Sequence, residues 1–294
     1  MTVGSVNNPD GSLISQSHDD RTSDGSRPLT PALMIALPDY HYNVKRFRIG
    51  TIRPNTPYLL VGQRMDVAEF DQFADEYENM HAANIAITGE RPDFFSAYKI
   101  RILAGDFARL GLQADRIVDF GAGTGNSIPF FRQYCPTSAL TCADVSRRSL
   151  DLAQARFPGQ SRPLLLDGPR IDAADGSFDV AFSACVFHHI PHAEHERWLR
   201  ELWRVVRPGG MLCIFEHNPL NPLTVRAVNT CPFDANARLI VASRFRRTIR
   251  SAGWLAPAVR YHIFFPRALA ALRGLEPLLV RVPFGAQYSI IARR

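Results

Sequence analysis

From Arg116 onward, short runs of β-branched and aromatic residues alternate with longer stretches of helical periodicity. The runs predict strands at Ile117–Phe120, Leu140–Ala143, Pro163–Leu166, Phe178–Ser183, Met211–Phe215, Val259–Phe264 and Gln287–Ala292. Seven strands separated mostly by helix-length segments imply βαβ units: an α/β fold with a mostly parallel sheet and helices on both faces. Upstream, Phe70, Phe73, Ala74, Tyr77 and Met80 recur at helical spacing. A second helix is predicted from Pro92 to Ala108, with Phe94, Phe95, Tyr98, Ile102 and Leu103 on one face. Residues 1–30 lack apolar periodicity and predict a disordered tail. Residues 31–64, with four prolines and the basic cluster Lys45-Arg46-Phe47-Arg48, predict a weakly structured extension. That leaves residues 65–294 as one domain, with 65–110 as a helical cover and 111–294 as the core and its C-terminal substrate elements.

At 294 residues and 46% apolar composition, the chain can bury a substantial core. No apolar run reaches the roughly 18 residues of a membrane span, and the first 20 residues lack the pattern of a secretory signal. The five cysteines form no CxxC pair and are odd in number, which argues against a disulfide framework or a zinc site and predicts a reduced, cytoplasmic setting. The formal charge is +6, with only Lys45 and Lys99 as lysines. Such arginine dominance in an alanine-rich chain reads as coding bias. The charge is uneven all the same: Arg238 to Arg294 holds 11 arginines against the single acid Glu276. This portion suits a solvated surface, an anionic substrate, a membrane face or nucleic acid.

The most informative stretch is Asp119-Phe120-Gly121-Ala122-Gly123-Thr124-Gly125-Asn126. A buried strand runs into three glycines and then a helix, a turn that lets a ligand approach the backbone and aims free N–H groups at it. Nineteen residues after Gly125 the second strand ends in Asp144, placed to accept from both hydroxyls of a ribose. A dinucleotide fingerprint would require glycine where Asn126 stands. The spacing, with Asp119 ahead of it, resembles the first motif of the class I S-adenosylmethionine-dependent methyltransferases.

That resemblance continues through Leu166-Asp167-Gly168, through Asp175-Gly176-Ser177-Phe178-Asp179-Val180, and through Leu202 to the Pro208-Gly209-Gly210 turn. It implies a Rossmann-like fold of the methyltransferase type 11 and 12 kind, bacterial and acting on small molecules. It also implies S-adenosyl-L-methionine as cofactor. By resemblance, Gly121, Ala122, Gly123 and Gly125 would pass under its methionine part and Asp119 would reach its amino group. Asp144 and Val145 would meet the ribose, Asp167 and Gly168 the adenine, with Ser183 beside the cofactor. The Phe70-Asp71…Tyr77 helix of such enzymes folds over the cofactor, which by resemblance brings Tyr77 and His81 to the pocket. The likeness begins near Met65, so residues 1–64 are expected to be dispensable or to reflect a mis-chosen start.

Candidate bases follow strands four and five. His188 and His189 lie in Cys185-Val186-Phe187-His188-His189, and Glu216 and His217 open Glu216-His217-Asn218-Pro219. Imidazole titrates near neutrality and suits general-base work; Glu216 and His217 are preferred. His192 and His195 extend the histidine run, but without a flanking Asp or Cys pattern no metal site is expected. From Arg267 to Pro283, Leu269, Leu272, Leu275, Leu278 and Leu279 predict a helix, either packed as core or cap or laid on a lipid surface. The expected reaction is methyl transfer to a small-molecule acceptor in sugar, lipid or specialised metabolism, with oxygen favoured and carbon second. The basic residues are not interleaved with stacking aromatics, so no nucleic-acid partner is expected. RNA or protein methylation, and a non-catalytic cofactor-binding partner, are the alternatives. The sequence leaves the oligomeric state open.

Overall fold

The computed structural model describes Ile85, residues 88–168 and residues 170–294. The cover helix with Tyr77 and His81, the N-terminal tail and the 31–64 extension lie outside the described residues.

Helix α1 (Pro92–Leu110) opens with proline in its first turn and closes on Gly111 at φ +59°, the pairing that best starts and stops a helix. Its buried stripe is Phe95, Lys99, Ile100, Leu103, Asp106 and Phe107, rotated from the predicted face so that Tyr98 and Ile102 are only half-buried. Strands and helices then alternate: β1 (Arg116–Phe120), α2 (Ile128–Tyr134), β2 (Ala139–Asp144), α3 (Arg147–Arg156), β3 (Arg162–Leu165) and β4 (Phe178–Ala184). There follow α4 (His195–Val205), β5 (Val206–His217), α5 (Pro222–Thr230), α6 (Ala242–Ser251), β6 (Leu255–His262), α7 (Glu276–Leu279) and β7 (Gln287–Arg293). The sheet order is β3-β2-β1-β4-β5-β7-β6, with β1 to β5 parallel and β7 antiparallel to both its neighbours.

Alternation along the central strands feeds two cores, one per sheet face. Val118, Phe120, Ala181, Leu212, Ile214 and Ile290 pack with Trp198 and Leu199 of α4 and Phe245 and Ile249 of α6. Ile117, Val180, Phe182, Met211, Cys213, Phe215 and Ile291 pack with Ile100 and Leu103 of α1 and Phe131 of α2.

All seven predicted strands are present. β5 starts earlier than predicted, at Val206, because the register shift between Phe178 and Val180 accommodates Pro208-Gly209-Gly210 within the strand. β6 ends at His262 because Ile263 takes a left-handed φ of +63°. The leucine-rich segment departs further from expectation. It is a 3-10 stretch (Arg267–Leu275) followed by the single turn α7, and Leu269, Leu272, Leu275 and Leu278 are exposed, so the stripe is not core. Its anchor is polar: buried Glu276 accepts from the backbone N–H of Phe264 and Phe265 and from the Tyr98 hydroxyl.

Between α1 and β6, the carboxylate of Asp106 is buried and takes both guanidinium nitrogens of Arg260, with Arg109 at 2.9 Å. Removing one partner of such a pair leaves the other's charge uncompensated. Asp106→Ala is therefore expected to lower unfolding free energy by roughly 3 kcal/mol, read as a shifted midpoint in urea denaturation with an unchanged slope.

Candidate active site

The first crossover builds a cradle at the carboxyl ends of β1 and β2. The N–H groups of Gly121 and Ala122 donate to the carbonyl of Ala143, at 2.8 and 3.2 Å, fixing the turn to β2. The three glycines are there for different reasons. A Cβ on Gly121 would lie 2.3 Å from Cγ2 of Val186, and one on Gly125 would lie 2.7 Å from Ile128 and 2.9 Å from Ala153. Gly123 has a left-handed φ of +53° and open space where a Cβ would stand. Asp144 secures this loop: Oδ2 accepts from Gly123 N–H at 2.8 Å and Oδ1 from Ser146 N–H at 2.9 Å. Behind it, the buried Asp119 carboxylate accepts from the Ser127 hydroxyl. Burial and the charge of Asp144 push its pKa up to about 7, against the pull of Ser127 and Lys99.

A single cavity of about 340 Å³ runs from this cradle to the ends of β4 and β5, within the range of small-molecule sites. Cys185 turns the chain out of β4 at φ +59°. Its sulfur accepts from Lys99 Nζ at 3.6 Å and Gln287 Nε2 at 3.7 Å. Burial resists ionisation of this thiol, but His217 and Lys99 outweigh it and bring its pKa down to about 7. Below it, Glu216 is fully buried. Oε1 accepts from the N–H groups of Val186 and Phe187 at 3.1 and 2.8 Å, and Oε2 lies 2.6 Å from Nδ1 of His188. Burial works against charge on His188, yet Glu216 raises its pKa to about 10. His189 is driven down to about 3 by burial and by the charge of His188. The Asp234 carboxylate reaches the pair from the 3-10 turn Pro232–Asp234, held at about 2 by His188 against its burial.

Residues 118–214 match the family model described as "Methyltransferase domain". The chain is 26% identical over 183 residues to a demethylmenaquinone methyltransferase of Thermus thermophilus, covering 60% of this chain and 77% of that protein. It is 28% identical over 199 residues to a trans-aconitate 2-methyltransferase of Variovorax paradoxus, covering 61% and 76%. Its fold matches the Haemonchus contortus phosphoethanolamine N-methyltransferase 2 solved in complex with S-adenosyl-L-methionine, at TM-score 0.53 and 15% identity, covering 76% and 60%. The chain carries a class I S-adenosylmethionine-dependent methyltransferase domain.

S-adenosylmethionine is the cofactor, and the cradle fits it: Gly123 offers unobstructed backbone at a strand end, with Asp119, Asp144 and Val145 all lining the cavity. Gly121 and Ala122 line it too. Other residues expected at the cofactor lie outside this lining. Gly125 is not part of the lining; it is glycine to let α2 and α3 pack closely. Asp167 and Gly168 are exposed beyond the end of β3, and Leu166 lines the cavity in their place. Ser183 is fully buried outside the lining, because alternation along β4 presents Phe182 and Ala184 instead. At the acceptor end His188, His189 and His217 line the methyltransferase cavity. Glu216 does not, and its carboxylate is engaged by the N–H groups of Val186 and Phe187 and by the His188 ring. The sequence analysis assigned no role to Lys99, Cys185, Asp234 or Gln287, which the fold brings to the cavity wall.

Two outcomes are expected. Gly123→Ala should cost only about 1–2 kcal/mol of left-handed strain while sharply weakening cofactor binding, whereas Gly125→Ala should lower the melting temperature further than Gly123→Ala. Calorimetric titration beside thermal unfolding separates the two. Cofactor affinity should also rise about tenfold from pH 5.5 to 7, below the range where the cofactor's own α-amino group titrates, as Asp119 loses its proton. Asp119→Asn should bind weakly and show a flat pH profile.

Proposed function

We propose that this methyltransferase acts on a small-molecule acceptor bearing an acidic oxygen, a carboxylic acid or an enolic or phenolic hydroxyl, with His217 as the base. The observation that carries the reading is the continuity of one cavity from Gly123 to the imidazole of His217. A nucleophile seated there would face the cofactor's methyl group across the shared space.

In methyl transfer the acceptor oxygen forms a bond to the methyl carbon as the carbon–sulfur bond of the sulfonium breaks. The protein's work is alignment and exclusion of water. Phe264, Phe265, Leu223 and Phe233 give the acceptor end apolar walls, while Asn221, Thr224 and Gln287 supply polar contacts. His217 follows Glu216 at the end of β5 and takes the proton of an enolic or phenolic acceptor, whereas a carboxylic acid arrives already ionised and needs only to be oriented. His188, locked to Glu216, stands on the wall of the cavity near this base. An enol acceptor attacked through carbon would use the same base, which makes C-methylation the second outcome. The relative named for trans-aconitate supports an acidic oxygen, and the one named for demethylmenaquinone supports an enolic or phenolic ring. The exposed leucines at 269, 272, 275 and 278, near Arg267 and Arg281, would suit an acceptor with an apolar or lipid-linked tail.

The test is a coupled assay of demethylated cofactor release with trans-aconitate, demethylmenaquinone-like naphthols and further carboxylic acids as acceptors. Turnover is expected with at least one class. For an enolic or phenolic acceptor, His217→Ala should reduce kcat/KM by about 10²–10⁴ with cofactor affinity unchanged. Full activity in the variant would remove His217 from the mechanism.

A further inference from the structure

The fold gathers His188, His189 and Asp234 from two separate 3-10 turns onto one wall of the cavity. One ligating atom from each lies within 4.8 Å of the others. Asp234 Oδ1 stands 3.6 Å from Nε2 of His188 and 3.4 Å from Nε2 of His189. Those separations are long for hydrogen bonds between such strongly polar groups. They match the edge of a coordination tetrahedron, since ligands bonded at about 2.0–2.2 Å stand roughly 3.4 Å apart. The side chains are enclosed, with exposures of 1%, 9% and 10%. His188 has its other nitrogen fixed by the Glu216 carboxylate at 2.6 Å, the outer-shell support that orients a histidine toward a metal.

We propose that His188, His189 and Asp234 bind one divalent first-row transition ion at the acceptor end of the cavity. Two imidazoles and a carboxylate suit zinc, cobalt, iron or manganese more than calcium, and three protein ligands leave open positions. The triad lines the same cavity as His217, so an open position is available to the acceptor. This extends the reading above and rests on it for the substrate: the acceptor is an oxygen chelator, a 2-oxo or 2-hydroxy acid or a molecule with neighbouring hydroxyls. The ion would polarise the attacking oxygen and ease loss of its proton to His217. The bonds made and broken in methyl transfer stay the same. The sequence argued for no metal because it lacks an acid near the histidine run; Asp234 arrives from 45 residues further on.

The test uses the full chain, stripped with chelator and titrated with Zn²⁺ by calorimetry and with Co²⁺ by visible absorption. One ion per chain is expected, at an affinity on the order of micromolar or tighter. Asp234→Asn and His189→Gln should each weaken it at least about tenfold and change the cobalt spectrum. Unaltered cofactor binding in the same variants shows that they are folded. Absence of a stoichiometric ion on the wild-type chain overturns the site, as does binding that neither substitution changes. The two readings fail separately. Methyl transfer at full rate in chelator removes the ion and leaves the base mechanism standing. An ion held by the triad with no acidic-oxygen acceptor methylated upholds the site and removes the proposed substrate class.

Discussion

The carboxylate of Glu216 is the contact on which the site's geometry depends. It sits without solvent exposure at the end of β5 and takes two backbone N–H groups from the chain leaving β4, besides the His188 ring. A buried carboxylate with three donors is stable as an anion, and it locks the exit of one strand to the end of the next. That lock sets Val186, whose methyl groups occupy the space a side chain at position 121 would need. Thus the first glycine of the cofactor turn is required by packing against a loop that Glu216 holds in place. The cofactor half and the acceptor half are coupled through this one chain of contacts.

Much of the fold was legible because a central parallel sheet writes itself as short apolar runs at helix-length intervals. All seven strands were anticipated, five of them to within one residue at both ends, while β5 and β6 begin several residues earlier than predicted. Failures came where long-range contacts decide. The Pro-Gly-Gly segment reads as a turn, yet it lies within β5 as the irregular stretch between the Val206 and Met211 pairings to β4. The leucine run reads as an amphipathic helix, yet its proline and glycine, and the grip of Glu276 on the preceding backbone, produce tight 3-10 turns.

The site divides in the same way. Asp119, Gly123 and Asp144 follow from local sequence, since a strand end, a glycine turn and the next strand end are neighbours by construction of the βαβ unit. Asp167, Gly125 and Ser183 match a pattern but lie outside the cavity lining, because which residues border a cavity depends on the pleat and on where a strand stops. Lys99, Asp234 and Gln287 come from α1, the turn after α5 and the start of β7, and no spacing rule connects them. The motif around Asp175 shows a further ambiguity: its acid pairs with Arg204, whose guanidinium also binds the carbonyls of Ile171 and Ala173. It is an architectural clasp on the approach to β4.

β7 runs against the grain of the sheet. The parallel strands bring their C-terminal ends to the ligand edge, whereas β7 brings its beginning, so Gln287 arrives beside His217 from the opposite direction. The connection that leads to it, residues 263–286, supplies Ile263, Phe264, Phe265, Pro266, Arg273 and Ala286 to the cavity wall. It contributes nothing to the glycine cradle. A reversed strand therefore gives the protein a modular wall: insertions or exchanges in that loop can remodel what the enzyme accepts without disturbing how it holds its methyl donor. Divergence of substrate choice within one architecture needs only such a separation between a fixed floor and a replaceable side.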